Sequence, residues 1–149
     1  MSAAAHGGRM TKITRQFDVG APPEKVFATI SVPERWPQWA GFVKQASSRG
    51  SAVHWVYEMA GMKVESDSEV SEVRPNEVYE FRQTGGFLKR AATRLEILPS
   101  RKGSAVTWNL EYELPYSYLG KLVDKLKARK QFEEALDVAV ANLRGLLER

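Results

Sequence analysis

Few side chains in this sequence are of the types that carry out catalysis directly. The 149 residues include no cysteine and two histidines, His6 and His54, which excludes thiol nucleophiles, disulfide bonds and cysteine-bound zinc. His54 alternates with Trp55 and Tyr57 in a strand-like segment, and this phase predicts that its side chain lies on the outer face. Neither a metal-ligand cluster nor a Ser-His-Asp arrangement is apparent. We therefore expect no cofactor and no metal, and the sequence identifies no catalytic residue.

Aromatic residues that share one face of several predicted strands are the strongest candidates for a binding site. The alternation of apolar and polar residues predicts that seven aromatic side chains point inward, two of them Phe17 and Tyr79. The other five are the candidates for the walls of a site: Trp55, Tyr57, Phe81, Trp108 and Tyr112. Tryptophan and tyrosine have polar tips that need hydrogen-bond partners when they are buried. Several of them on one concave face therefore favour a ligand pocket over an ordinary packed core, which is the alternative.

Polar residues in the same inward phase are candidates for orienting a ligand. Arg15 and Gln83 lie among apolar neighbours on their strands, and Arg129 interrupts the apolar stripe of a predicted helix. A guanidinium stays charged when partly buried, so Arg15 or Arg129 could bind a carboxylate, phenolate or enolate. The alternative is an ion pair between Arg129 and Glu133, four residues later, or extension of the arginine to the cavity rim. The predicted ligand-binding set joins Arg15, Gln83 and Arg129 to the five aromatic residues.

The elements that must position these residues follow from the periodicity of the chain. Alternation over residues 12–19 predicts a half-buried strand. The Pro-Pro-Glu run at residues 22–24 then favours the start of a short helix, because proline fits the first helical turn and glutamate interacts with the positive end of the helix dipole. Ser31 and Glu34 have capping-box spacing and predict a second short helix that ends at about Trp36.

Residues 42–114 predict an antiparallel meander in which each strand has one apolar face and one wet face. Turn-forming residues separate the strands at positions 60–61, 75–76, 85–86 and 100–103. Ser66 and Ser68 share the inward phase of their strand, whereas the acidic residues beside them point outward.

A helical pattern replaces the strand pattern from about Ser117 to Leu147. Its apolar stripe has spacings of three, four or seven, with a gap in the middle: Leu119, Leu122, Leu126, Leu136, Val140, Leu143 and Leu147. One long helix, two short ones and a one-faced sheet have a single economical arrangement. It is an α+β fold in which the sheet curves around the long helix and the short helices close one end.

Length and charge limit the class of protein. The chain has 22 basic and 18 acidic residues, so its formal net charge is +4, an excess that does not by itself indicate nucleic-acid binding. Five basic residues cluster in the predicted long helix: Lys121, Lys125, Lys127, Arg129 and Lys130. A solvated helix face is the simplest interpretation, and contact with an anionic membrane or with RNA is the alternative.

The length indicates one domain, over residues 10–149, after a disordered tail over residues 1–9. No apolar run is long enough for a membrane span and no signal peptide is visible, so we expect a cytoplasmic protein without a transmembrane segment. We expect no nucleic-acid partner. Peripheral membrane contact is compatible with the basic helix, and the chain is expected to be a monomer or a dimer.

Three segments carry a family resemblance: residues 21–27 (APPEKVF), 33–39 (PERWPQW) and 106–112 (VTWNLEY). In this order they resemble the START-like (SRPBCC, Bet v 1-like) superfamily, and most closely its small bacterial polyketide cyclase/dehydrase-like proteins. The resemblance implies the helix-grip fold, with a curved antiparallel sheet of about seven strands around a long C-terminal helix and two short helices after the first strand. It also implies a cavity for an apolar small molecule, but it transfers no catalytic residue to this chain.

The predicted function is binding of a hydrophobic small molecule, lipid-like or aromatic and polyketide-like, between the sheet and the long helix. One alternative is a polyketide cyclase/dehydrase-type enzyme in which Tyr57, Tyr112 or Glu133 acts as acid or base. The other is a non-enzymatic domain that binds a protein partner. Apolar residues in two turns, at residues 59–62 and at Phe87, either pack under the short helices or gate the cavity mouth.

Overall fold

The computed structural model describes residues 10–59, 61–115 and 122–149, and in the last segment it describes side chains from residue 125 onward. The predicted tail over residues 1–9 lies outside the described residues. Ala60 of the first predicted turn, the predicted helix start at Ser117, and Leu119 and Lys121 also lie outside them.

A seven-stranded antiparallel sheet forms most of the described structure. Its strands are β1 (Met10–Val19), β2 (Val43–Arg49), β3 (Ala52–Met59), β4 (Met62–Arg74), β5 (Val78–Gly86), β6 (Arg90–Ser100) and β7 (Gly103–Glu113). Their spatial order is β1-β7-β6-β5-β4-β3-β2, so β2 to β7 form the predicted meander and β1 adds to its far edge. The predicted fold class and strand number are confirmed.

The strands alternate between a covered face and a wet face, as the period of two requires. In β3, Val53 and Trp55 are buried whereas His54 is partly exposed. In β4, Ser66 and Ser68 are buried although both are polar. The covered faces of the strands pack towards the helices, and the core lies between them.

The first short helix, α1 (Pro23–Ile30), begins where the Pro-Pro-Glu run predicts, and Val26 and Ile30 are buried on its inner side. The second short helix is a 3-10 helix (Pro33–Gln38), and the predicted capping box before it is wrong. Ser31 Oγ instead donates a hydrogen bond to the Phe27 carbonyl at 2.6 Å and so ends the first helix.

Glu34, the other residue of the predicted capping box, interacts with a strand. Its carboxylate accepts hydrogen bonds from Ser48 N (2.7 Å) and Ser48 Oγ (2.6 Å). These bonds stabilise the charged form and lower the pKa of Glu34. Pro37 lies inside the 3-10 helix rather than at its end, because so short a helix loses few hydrogen bonds when a proline removes a donor.

The predicted turn at the Gly-Gly pair, residues 85–86, is wrong. The pair forms the end of β5, and residues 87–89 make the connection to β6. Gly86 has a φ of 146°. A Cβ atom there would lie 2.9 Å from Ser66 Cα on the neighbouring strand. The pairing of β4 with β5 shifts register beside this contact, between Asp67 and Ser68, so the glycine allows the close approach of two strands.

The long helix, α2 (Leu122–Leu147), covers the sheet. Among its residues from 125 onward, the fully buried ones lie in the C-terminal half: Leu136, Ala139, Leu143 and Leu147. Leu126, predicted in the same stripe, is 67% exposed. That prediction is wrong because the ten residues from Leu126 to Leu136 span about 2.8 turns, which places the two leucines on different faces of a regular helix.

The C-terminal end of α2 is fastened to the start of α1 and the end of β1. Lys25 Nζ donates a hydrogen bond to the Leu147 carbonyl at 3.0 Å, and the Gly20 amide donates one to Glu148 Oε2 at 2.8 Å. A cation beside the last carbonyls also interacts favourably with the helix dipole. Of the helices that the structure describes, none is long and apolar enough to cross a membrane.

Candidate functional site

A cavity of about 170 Å³ lies between the covered face of the sheet and the long helix. Strands β3 to β7 form one wall, and α2 contributes Ala128, Phe132 and Ala135 to the other. The aromatic part of its lining consists of Trp36, Phe42, Tyr57, Phe81, Trp108 and Phe132, together with Phe87 near the surface. A mostly apolar concave site of this kind suits a small hydrophobic molecule.

The two ends of the cavity differ in exposure. Met62 and Phe87 line it and remain 52% and 37% exposed. They lie where β3 meets β4 and where β5 meets β6, at the end of the sheet where α2 begins. The opposite end contains Trp36 and Trp39 of the short helical segment, which are 2% and 0% exposed. Among the described lining residues, the exposed ones therefore lie at the end that carries Met62 and Phe87, which we take as the mouth, and these two residues do not pack under the short helices.

A cluster of stacked rings supports the inner wall. Trp55 lies between Tyr57 and Phe81, with ring centroids 5.8 and 4.9 Å away and interplanar angles of 9° and 25°. Trp36 makes edge contacts with Trp55, Phe81 and Trp108, at 5.2, 5.7 and 5.9 Å. Its Nε1 donates to the Ile30 carbonyl at 2.9 Å, so the ring that reaches furthest into the cluster is held by the end of α1.

Four of the eight predicted ligand-binding residues line this cavity, namely Tyr57, Phe81, Gln83 and Trp108. Trp55 and Tyr112 are fully buried next to it and support its walls, Tyr112 through a contact with Phe132 at 4.3 Å. The structure thus brings six of the predicted residues together.

Arg15 and Arg129 do not line the cavity, so their prediction as ligand-binding residues is corrected here. Arg15 lies opposite Trp108 in the sheet register and therefore on the covered face, as its phase predicts. Arg15 Nε bonds Asp137 Oδ1 at 2.5 Å, and Arg129 Nε pairs with Glu133 Oε2 at 3.4 Å. Arg129 also donates to the Lys12 carbonyl at 3.3 Å. β1 is an edge strand, so its long arginine side chain extends past the sheet to the flank of α2. The i, i+4 ion pair of Arg129 and Glu133, the alternative considered for that arginine, is the arrangement found.

Trp36 and Phe42 are lining residues that the strand pattern missed. Neither lies in a strand, so the period of two says nothing about where they point. The signal available for Trp36 was its place in the PERWPQW segment, which carries the family resemblance.

Inside the apolar lining, a polar patch runs across β4, β5 and β6. Ser66 Oγ donates to Gln83 Oε1 at 3.2 Å, and Gln83 Nε2 donates to the Leu88 carbonyl at 2.6 Å. Ser68 lies opposite Gln83 and Thr93 lies opposite Phe81 in the sheet register. All four polar residues line the cavity.

Titratable groups near the cavity are neutral or face outward. Burial raises the pKa of the Tyr57 phenol, so it stays protonated. Glu65 borders the cavity, but its carboxylate bonds His54 Nε2 at 2.7 Å, and both side chains are largely exposed on the outer face. Among the described residues, no group of three or more His, Asp or Glu side chains is placed to hold a metal ion.

Comparisons with known proteins agree with this architecture. Solved structures with the same fold include a START superfamily protein from Mycobacterium smegmatis (22% identity, TM-score 0.74, covering 93% of this chain and 97% of that one). They also include the ZhuI aromatase/cyclase from Streptomyces sp. R1128 (15% identity, TM-score 0.80, covering 94% of this chain and 94% of that one). A third is major latex-like protein 151 from Panax ginseng (14% identity, TM-score 0.71, covering 94% of this chain and 99% of that one). At these identities the likeness concerns the fold alone. Among curated proteins, none matches this chain in sequence.

The family model described as "Polyketide cyclase / dehydrase and lipid transport" matches residues 10–148. That span includes every strand, both helices and all the residues that line the cavity. The chain therefore belongs to the polyketide cyclase / dehydrase and lipid transport family.

Proposed function

We propose that this protein binds a small hydrophobic molecule in the cavity between the sheet and α2. The observation that carries the proposal is the cavity itself, about 170 Å³ in volume and lined by aromatic and aliphatic side chains, with a partly exposed mouth. An apolar cavity of about 150 Å³ admits a ligand of benzene size. A molecule of one or two rings, or a short aliphatic chain, therefore fits without rearrangement of the walls.

The affinity expected for such a ligand is modest. Small ligands gain between about 0.3 and 1.5 kcal/mol for each non-hydrogen atom. Ten atoms at an intermediate value correspond to a dissociation constant on the order of micromolar. Naphthalene, with ten carbon atoms and no polar group, is a suitable probe.

Naphthalene titration, followed by the fluorescence of the cavity tryptophans or by calorimetry, tests the proposal. Ala135→Phe places a larger side chain in the cavity from α2, and we expect it to reduce the affinity at least tenfold. Val138→Phe is the matched control, because Val138 lies on the same helix and is 56% exposed. Ala128→Phe, from another lining position, is a second blocking variant if Ala135→Phe does not fold. Equal binding by the blocking and control variants, or none by the unmodified protein, refutes the proposal.

Cyclase- or dehydrase-type catalysis is a second candidate, favoured by the position of Tyr57 in the lining. A protonated phenol can donate a hydrogen bond to a carbonyl oxygen, while the apolar walls hold a flexible chain folded. Because burial raises the pKa of Tyr57, its hydroxyl stays protonated and can serve as a hydrogen-bond donor rather than as a base. With a polyketone substrate, Tyr57→Phe should lose turnover while it retains naphthalene binding within about twofold. Unchanged turnover in that variant removes this candidate.

A further inference from the structure

Four polar residues, which we call the polar row, interrupt the apolar lining on adjacent strands: Ser66, Ser68, Gln83 and Thr93. From this row we infer that the cavity selects neutral ligands that carry a single hydroxyl or carbonyl oxygen, which bonds either Ser68 or Thr93. The inference rests on the proposed function, because it specifies the chemical class of molecule that the cavity takes.

Ser66 and Gln83, two members of the polar row, are hydrogen-bonded to each other and to the backbone. Gln83 accepts from Ser66 Oγ through Oε1 and donates to the Leu88 carbonyl through Nε2. Ser66 Oγ also lies 3.4 Å from the Gly85 carbonyl. These contacts hold the Gln83 amide against the cavity wall. Ser68 and Thr93, the other two members of the polar row, can therefore bond a ligand.

Ser68 and Thr93 are the members that remain available. Their residues are 3% and 8% exposed. Within the part of the chain that the structure describes, neither hydroxyl has a protein hydrogen-bond partner, although both residues line the cavity. A molecule inside the cavity can therefore reach these hydroxyls and gain a hydrogen bond from them. Because a hydroxyl both donates and accepts, a ligand alcohol, phenol or ketone oxygen satisfies it equally well.

Charge in the surrounding walls favours a neutral molecule. Arg15 and Arg129 are paired with carboxylates outside the cavity. Glu65 is bonded to His54 on the outer face. Among the described lining residues, no cationic side chain is present to balance a ligand anion. An uncompensated charge in an apolar enclosure carries a large desolvation penalty, so a carboxylate of the same size and shape is excluded.

Three probes of one shape test the inference, namely naphthalene, 2-naphthol and 2-naphthoate, titrated at pH 7.5. One additional hydrogen bond corresponds to roughly two- to tenfold in affinity. We therefore expect 2-naphthol to bind about fivefold more tightly than naphthalene, and 2-naphthoate to bind at least about 100-fold more weakly than 2-naphthol.

Substitutions in the polar row identify the groups responsible. In the Ser68→Ala, Thr93→Val double variant, the preference for 2-naphthol over naphthalene should disappear, while saturable binding of naphthalene persists and reports an intact cavity. Ser71→Ala is the matched control, because Ser71 lies on the same strand and its hydroxyl bonds Glu80 on the outer face, at 2.8 Å. The control should keep the preference.

The outcomes separate this inference from the proposed function. If naphthalene binds and Ala135→Phe blocks it, but 2-naphthoate binds as tightly as 2-naphthol, the cavity is a ligand site and the inference is wrong. Persistence of the 2-naphthol preference in the double variant also overturns it. Equal affinities for 2-naphthol and naphthalene mean that water satisfies the two hydroxyls, which overturns it as well. If none of the three probes binds, the proposed function and the inference are both refuted.

Discussion

At the scale of single residues, neighbouring side chains of β4 have different roles because they lie on opposite faces of the sheet. Ser66 and Ser68 face the cavity, while Glu65 and Asp67 between and beside them face water and bond the two ring nitrogens of His54. The outward phase predicted for His54 agrees with this arrangement. A ring that is hydrogen-bonded to a carboxylate through each nitrogen is favoured in its protonated form, because only imidazolium donates from both.

His54 should therefore show a pKa above its ordinary value of 6.5. Hydrogen bonds to Asp67 and then to Glu65 raise it. A raised pKa in the folded state means that the stabilisation is present in full below about pH 6.5, the unfolded value. It is lost as the pH rises through the folded pKa.

Histidine NMR titration, with His54→Gln used for assignment, measures this pKa. Urea denaturation gives the companion result, in which the stability difference between the unmodified protein and His54→Gln is larger at pH 5.5 than at pH 9. A His54 pKa at or below 6.5, or a difference that grows with pH, contradicts the geometry. The magnitude should be small and should decrease with added salt, since the side chain is 43% exposed.

Phase predicts the covered face of each strand but not which covered residues border the cavity. Tyr57, Phe81 and Trp108 line it, whereas Trp55 and Tyr112 are buried beside it. Arg15 also starts on the covered face, but its flexible side chain reaches Asp137 rather than the cavity. Trp36 was beyond the reach of the method, since a 3-10 helix has neither the strand nor the α-helix period.

At the scale of elements, one glycine determines how β7 starts beside the turn into α1. Gly103 has a φ of 132°. A Cβ atom there would lie 2.6 Å from Ala21 N and 2.8 Å from the Val19 carbonyl oxygen. The next residue, Ser104, is fully buried and donates from Oγ to the Ala21 carbonyl at 2.7 Å, so this junction has no space to adjust.

Gly103→Ala should therefore destabilise the protein by about 2–4 kcal/mol, through backbone strain and a contact with backbone atoms. Gly145→Ala is the opposite case. Gly145 lies in α2 with nothing within 4 Å of an added Cβ, and alanine should stabilise the helix by up to about 1 kcal/mol. Urea denaturation of both variants measures the change in the free energy of unfolding, which should decrease for Gly103→Ala and increase for Gly145→Ala. A neutral Gly103→Ala would show that the junction is less tightly packed than described.

Element types were predictable from the sequence, whereas element ends were not. Six of the strands and the long helix follow from periods that extend over many residues, whereas the number seven came from the family resemblance and the two short helices from local residues. The capping box at Ser31 and the Gly-Gly turn at residues 85–86 were predicted from local motifs, and tertiary contacts override both. The Glu34 carboxylate accepts a hydrogen bond from Ser48 instead of capping the helix. Gly86 packs against Ser66 of the neighbouring strand instead of forming a turn. The prediction that Leu126 belongs to the buried stripe of α2 is wrong. No leucine lies between residues 126 and 136, so the sequence pattern does not show which face is buried over that interval.

At the scale of the whole molecule, the helix that closes the cavity is held unequally along its length. Its C-terminal half is packed through Leu136, Leu143 and Leu147 and fastened by Lys25 and Glu148. In the other half, Leu126 is exposed and Phe132 contributes to the cavity wall. Segments with fewer buried contacts open more readily than the core. Of the described part of the helix, residues 125–132 are therefore less tightly packed, and they lie towards the end of the cavity that carries Met62 and Phe87.

Hydrogen exchange should show this difference directly. Without ligand, amides at residues 125–132 should exchange about tenfold faster than those at 136–147, which corresponds to ~1.4 kcal/mol in opening free energy. Saturating naphthalene should slow exchange at residues 125–132, because the bound molecule replaces missing contacts with Phe132 and Ala128, and should leave residues 136–147 nearly unchanged. Ala135→Phe should give the same slowing without ligand. Uniform exchange along α2 would contradict the unequal packing, and protection by naphthalene confined to residues 136–147 would require a different route into the cavity.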